Sequence, residues 1–388
     1  MNSVRGTRSL LAIAVCLGVS IFGGGAGALL GVCGPFSDVA ADAFCPFVLE
    51  IFTLGITTGT TPTTYDPTSS VSRLQMAAFL SRTVDGVLRR GSRRVALGQT
   101  WTPQNAAALG VTTVGSVPRL VRSDGADLWV TNIGGSTVSR VRGSDGKLLE
   151  TWTGATNAIG VLVAMGRVFV SGLTSPGNLY RIDPTAPPGV VTTVATNLGN
   201  NPEGMTFDGA RIWTANTSGS VSIVTPGATI PWTTTTVTGF AGLTDALYDG
   251  AFVWVTKSSG HLLKLDSAGA VLQTVTIGAT PAFMAFDGAN IWVPNRSANT
   301  VSVVRASTGA VLATLTGNGL STPQGAAFDG ERLLVTNFGG NTVSLWKAAN
   351  LSPIGIVSTG AASQPSSACS DGVNFWIALF GTSQLARF

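Results

Sequence analysis

The chain has 388 residues, of which 44% are hydrophobic and only 11% charged, with 49 glycines and a formal net charge of +4. That length accommodates one large domain plus a small one, and abundant Thr, Val and Gly favour strands. So little charge excludes long helices with Glu/Lys-dressed faces, and the expected fold class is all-β.

The excess of positive charge lies at the front, where residues 1–104 hold eight Lys/Arg against five Asp/Glu. Arg5 and Arg8 precede the apolar run "LLAIAVCLGVSIFGGGAGALL", and Ala26–Ala28 offers small residues for cleavage. Residues 1–28 therefore read as an export signal, with the cell surface or envelope as destination. The same run is long enough to span a bilayer if retained, which would be the chain's only membrane contact. Cys16 leaves with the signal, and Val15 before it argues against lipidation. In an oxidising compartment Cys33 and Cys45 are expected to form a disulfide across a short loop. Cys369 falls in an apolar strand and reads as a buried thiol. With no CxxC and one histidine in the chain, no metal site is expected.

Residues 29–88 form a separate helical module. Phe47, Ile51 and Leu54 stand at helical spacing before a break at "LGITTG". A second helix opens on Ser72 as N-cap and is expected to bury Met76, Phe79 and Leu80. So small a core would explain a disulfide staple. The pieces "FSDV" (Phe36–Val39), "LGITTGT" (Leu54–Thr60), "YDP" (Tyr65–Pro67) and "VSRLQMAAFLSR" (Val71–Arg82) follow one another as in an S-layer homology (SLH) domain, which the module resembles. The resemblance implies attachment to a cell-wall polymer, with Arg73 in the place of the arginine that holds the acidic saccharide. The family motif has an acidic residue where this chain has Gln75, and members usually carry three repeats where one is present here. A structural cap is the alternative role.

Residues 89–108 read as a basic linker. "RRGSRR" (Arg89–Arg94) has no interleaved aromatics, so a solvated connection is expected and no nucleic-acid partner.

From residue 109 to 388 the chain repeats. Asp-Gly pairs begin at Asp124, Asp208, Asp249, Asp287, Asp329 and Asp371, and a degenerate copy, "MGRVFVSG", begins at Met165. Each unit of about forty residues parses into four short strands: one ending before Asp-Gly, one of "IWV" type, one of "TVSVV" type, and one of "VLATLTG" type. Trp129, Trp213, Trp254, Trp292 and Trp376 share one register in the second strand. Four strands per repeat is the signature of a β-propeller blade. The last copy stops at Phe388 without room for a fourth strand, and "LGVTTVGSVP" (Leu109–Pro118) aligns with the fourth strand "LQTVTIGATP" (Leu272–Pro281). The expected fold is a seven-bladed propeller closed by this N-terminal strand. "WVTN" (Trp129–Asn132), "WVPN" (Trp292–Asn295) and "LVTN" (Leu334–Asn337) resemble YVTN-type propellers and, more loosely, the NHL and streptogramin (virginiamycin B) lyase group. Such a likeness bears on fold more than on function.

In register, Arg119, Glu203, Thr244, Gln324 and Ser366 start inner strands on one face of the ring. Asn132, Asn216, Lys257, Asn295 and Asn337 end second strands on that face, with Asp245 and Arg296 adjacent. This polar rim is the candidate ligand site. Recurrent Asn also satisfies turn backbone, so Arg119, Glu203, Asp245 and Lys257, which break the repeat, are the better functional candidates. The lyase resemblance implies a His base, a Glu and a bound Mg2+. The only histidine, His261, occupies the place of Thr300 and Thr342 at the start of a third strand, which points to a surface residue. No catalytic residues are assigned and no cofactor is expected, with Mg2+ reserved for the enzyme alternative. The expected function is a binding or protein-interaction platform, whose partners are a wall polymer, envelope proteins or a small ligand at the rim. The alternatives are a lyase-like or hydrolytic propeller enzyme and a structural surface-layer component.

Overall fold

The computed structural model describes residues 35–39, 44–53, 56–80 and 110–388. The expected signal segment, Cys33, Leu54 and the basic linker lie outside these residues, and the Cys33–Cys45 pairing with them. The chain divides into two compact units, residues 1–101 and 102–388.

In the first unit, helix α1 (Cys45–Thr53) packs Cys45 and Val48 against Phe36 and Val39. Phe52 and Tyr65 close this core, their rings 5.2 and 5.8 Å from that of Phe36. The Asp38 carboxylate accepts the backbone N–H groups of Tyr65 (2.9 Å) and Asp66 (2.7 Å), tying "FSDV" to "YDP". Those bonds, the one from Tyr65 foremost, hold its carboxyl below the usual range. Two expectations need correction. The buried stripe of α1 is Cys45/Val48/Phe52, whereas Phe47 is 62% exposed. In the second helix, Met76 and Leu80 are exposed too, and only Phe79 is half-buried. The stripe one residue off wins because it is the one that meets Phe36. The N-cap holds: Gln75 N–H donates to Ser72 Oγ (3.2 Å) and Ser72 N–H to Gln75 Oε1 (2.8 Å), a reciprocal capping box.

The second unit is a seven-bladed β-propeller. Its strands run from β1 (Gly110–Thr113) to β28 (Gln384–Arg387), in seven antiparallel four-stranded sheets. Blades 1 to 6 take consecutive strands. Blade 7 consists of β26 (Pro365–Ser370), β27 (Phe375–Leu379) and β28, and β1 supplies its outer strand, Gly110 opposite Arg387 and Thr113 opposite Gln384. The borrowed strand leaves no blade short and ties the chain's first strand of the ring to its last.

Each Asp-Gly pair makes a hairpin with Gly at positive φ, 94° at Gly288 and 97° at Gly125. The aspartate does more than turn the chain. Asp287 Oδ1 accepts the N–H groups of Ala289 and Asn290, and its Oδ2 accepts Trp292 Nε1–H at 2.7 Å. Asp124–Trp129, Asp208–Trp213, Asp249–Trp254 and Asp371–Trp376 repeat this lock at 2.6–2.8 Å. Every one of these indoles is at most 1% exposed. In blade 6 Leu334 replaces the tryptophan and Arg332 takes up the Asp329 carboxylate at 2.9 Å. Blade 2, with Met165 and Phe169, lacks both partners. The core is wedge-like between blades: Trp213 of blade 3 packs with Leu243, Ala246, Val255 and Leu265 of blade 4.

Candidate functional site

The recurrent asparagines turn inward, away from the rim. Asn132, Asn216, Asn295 and Asn337 are fully buried. Each Nδ2 donates to two hydroxyls of the adjoining third strand: Thr137 and Ser139, Ser220 and Ser222, Thr300 and Ser302, Thr342 and Ser344. Their amides hold the corner of the blade, which accounts for their recurrence without a ligand.

The residues that break the repeat do converge. Arg119, from β2 (Pro118–Ser123) of blade 1, reaches across the channel to Glu203, from β10 (Pro202–Phe207) of blade 3, with Nη2 to Oε1 at 3.0 Å. The side-chain amide of Gln324, from β22 (Pro323–Phe328) of blade 6, faces the same guanidinium; with its oxygen assigned to that side, as the two donors require, it accepts from Nη1 (2.6 Å) and Nη2 (3.0 Å). Phe283 of blade 5 lies under it, its ring 5.5 Å from Arg119 Cζ. The inner strand of blade 5 is broken here, its pairing within the blade reduced to β18 (Ala285–Phe286) and a bridge between Pro281 and Asn295. Phe283 instead pairs in parallel with blade 6, donating to Gln324 O (3.0 Å) and accepting from Ala326 N–H (3.1 Å). At 2% exposure and clustered with Leu120, it plugs the channel below the mouth.

Asp245, from β14 (Leu243–Tyr248), sits beside this cluster with 2% exposure. Its Oδ2 accepts Met284 N–H at 2.8 Å, and Gly204 approaches so closely that a side chain there would collide with the carboxylate. Burial pushes its carboxyl up to about 6, against the opposing pull of Arg122 and the Met284 N–H. Arg296 is half-buried at the mouth. Burial, and then the charge of Arg119, holds it below the ordinary guanidinium range, with Glu203 opposing. Its Nε is buried and donates to no group among the described residues. Ser366 secures the ring by donating to Arg119 O at 2.8 Å, and Thr244 is half-buried next to Asp245. Lys257 lies elsewhere, half-buried in a cleft on the seam of blades 3 and 4 together with His261.

Around this floor runs a ring that the repeats build. In each blade the residue after the second strand donates its N–H to the residue just before the inner strand: Ile133 to Val117, Leu173 to Asn157, Thr217 to Asn201, Ser258 to Gly242, Arg296 to Thr280, Phe338 to Thr322, Phe380 to Gln364. All seven acceptors have positive φ, 46–61°, including the β-branched Val117, Thr280 and Thr322. Such residues store about 1–3 kcal/mol of strain each, and the surrounding structure must hold them. The seven donors make a mouth that is apolar on one side (Phe338, Phe380, Ile133, Leu173) and polar on the other (Thr217, Ser258, Arg296). The rings of Phe338 and Phe380 touch at 5.6 Å.

The arrangement can hold a small molecule that offers an anionic or acceptor group to Arg296 and Arg119 and a flat apolar body to the phenylalanines. It does not fit a magnesium ion. Glu203 is engaged by Arg119, Asp245 by a backbone N–H, and Arg119 and Arg296 put two positive charges beside them. Among the described residues no three His, Cys, Asp or Glu side chains form a metal-binding group. Buried Cys369 is a thiol without a disulfide, pushed up to about 12 by burial.

Sequence reasoning missed Phe283, Arg122 and the strained ring. Phe283 had a signal, since it stands where three of the other six inner strands carry glycine, Gly160, Gly204 and Gly325. The strained residues had none, because only Gly242 among the seven is a glycine.

No family model and no curated protein matches the chain. Solved structures of the same architecture are numerous. Virginiamycin B lyase from Staphylococcus aureus is similar at 16% identity and a TM-score of 0.61, over 72% of this chain and 98% of that one. A streptogramin B lyase structure gives 13% and 0.61, over 73% and 98%. The WD40 propeller domain of Doa1 gives 14% and 0.62, over 74% and 97%. At these identities the likeness is one of fold: a seven-bladed propeller with neighbours of the streptogramin B lyase type.

Proposed function

We propose that the chain is an exported envelope protein whose propeller is a binding platform, taking a small ligand at the channel mouth. One observation carries this reading. Arg119, Glu203, Gln324 and Phe283 come from four different blades, at positions where the repeats disagree, and meet as one polar cluster over an apolar plug. The Asn–hydroxyl corners of blades 1, 3, 5 and 6 are built without them. The polar half of the mouth, with Arg296 at its edge, selects a carboxylate or comparable acceptor, and the Phe338–Phe380 side selects a flat apolar body. Ligand-observed NMR of a panel of aromatic carboxylates against the full chain carrying Lys257→Met, which leaves the mouth intact, tests this: binding should be lost when Arg119→Ala is added, and retention there would refute it.

The SLH-like module would fasten the propeller to a wall polymer, with the exposed Arg73 as the contact. Retention of the protein on purified cell-wall fractions, with and without residues 29–100, checks that role. Equal retention would remove it.

A second reading, a lyase-like enzyme acting on a small secreted molecule, is favoured by Asp245. A carboxyl raised to about 6 is suited to general-base work near neutral pH. His261, half-buried on the third strand of blade 4, takes no part in the mouth cluster.

A further inference from the structure

Blade 4 departs from its neighbours at one corner and at all three positions together. Blades 1, 3, 5 and 6 fill that corner with an asparagine facing a Thr or Ser, and a serine two residues on. In blade 4 the corresponding residues are Lys257, which pairs with His261, and Leu263. Lys257 cannot repeat the amide's double donation into the blade, and Leu263 offers no hydroxyl to receive it. A cleft of 320 Å³ runs along the seam here, walled on the blade 3 side by Val237 and Phe240. Its lining includes Lys257 and His261 but no Asp or Glu. Among the described residues Lys257 enters no ion pair. His261 Nδ1 is 3.0 Å from Ser259 Oγ, which orients the ring and leaves Nε2 for another partner.

We propose that this cleft is a second binding site, separate from the channel mouth, for a small organic anion. Lys257 supplies the charge and His261 Nε2–H a directed hydrogen bond to a carboxylate or phosphate oxygen. Phe240, Val237 and Leu263 cover the apolar part of the ligand. The volume is that of a small-molecule pocket rather than of a bare ion. Lys257 puts a cation where four sister blades have an amide that donates twice into the blade and where blades 2 and 7 have the uncharged Gly172 and Leu379, and a ligand accounts for that charge.

The chain's only histidine is its own reporter. The full-length protein is titrated with benzoate, phenyl phosphate and inorganic phosphate at constant ionic strength, following the His261 Cε1–H resonance. Benzoate or phenyl phosphate should give a saturable shift, at least tenfold weaker in Lys257→Met and unchanged in Lys347→Met, an exposed lysine outside the cleft. Saturation by inorganic phosphate with equal affinity would overturn the organic part of the assignment. A shift of the same affinity in Lys257→Met, or none with any probe, would overturn the site. The triple variant Lys257→Asn, His261→Thr, Leu263→Ser restores the repeat's own corner. It should melt no lower than the wild type and, combined with Arg119→Ala to remove the channel-mouth site, fail to retain phenyl phosphate in equilibrium dialysis; retention would contradict the proposal.

Discussion

The aspartate of each Asp-Gly pair has two tasks, and its spacing to the tryptophan shows why the repeat is so uniform. Asp287 and Trp292, like Asp124 and Trp129, stand five residues apart, so one carboxylate closes the turn and satisfies the indole N–H that packing has buried. Asp287→Ala leaves that donor unpaired and should cost about 2–3 kcal/mol in urea unfolding. Trp292→Phe in the Asp287→Ala background should recover part of the loss, and strict additivity would deny the lock. Asp245 behaves in the opposite sense. Its folded pKa of about 6 lies above the unfolded value, so the folded state binds its proton more tightly. The stabilisation is fully present below pH 4, is lost as pH rises through 6, and amounts to on the order of 3 kcal/mol. Asp245→Asn should flatten the stability profile between pH 4 and 6 and leave the protein at least as stable at pH 8. A profile identical to wild type over that window would show that Asp245 does not titrate there.

At the scale of elements, the closing strand β1 is short, four residues, and pairs along its whole length with β28. Removing residues 110–113 exposes the edge of β28 and part of the Trp376 core, where Val114 also packs. The variant should lose stability and aggregate on mild heating, as followed by light scattering; unchanged melting would mean that the ring closes without it. Strand order and closure were legible in the sequence because hydrophobic period, Asp-Gly turns and aligned repeats all specify the same blade. The direction of the asparagines was not. A residue at the end of a strand alternates between faces, and only the third-strand hydroxyls four to seven residues onward decide which way the amide is used. The module shows the same limit: α1 has two apolar stripes one residue apart, and contact with Phe36 selects between them.

At the scale of the whole molecule, the ring is stitched blade to blade through its inner strands. Thr131 Oγ1 donates to Ile159 O, Ser171 Oγ to Glu203 O, and Ser366 Oγ to Arg119 O. These bonds use backbone acceptors, so the side chains of Arg119 and Glu203 remain available to meet at the mouth. Arg119, Glu203 and Asp245 could be found in the sequence as departures from a repeat. Their meeting across the channel could not, since it depends on which blades face each other and on Phe283 breaking its own strand. The most direct measurement is the NMR signal of the Arg296 Nε–H group in the full chain during titration with indole-3-acetate, alongside calorimetry. With the cleft site removed by Lys257→Met, a ligand at the mouth should give one saturable site, a downfield shift of that proton as it gains an acceptor, and at least tenfold weaker binding in Arg296→Ala. No response of Arg296 at saturating ligand, or equal affinity in the variant, would contradict a ligand site at the channel mouth.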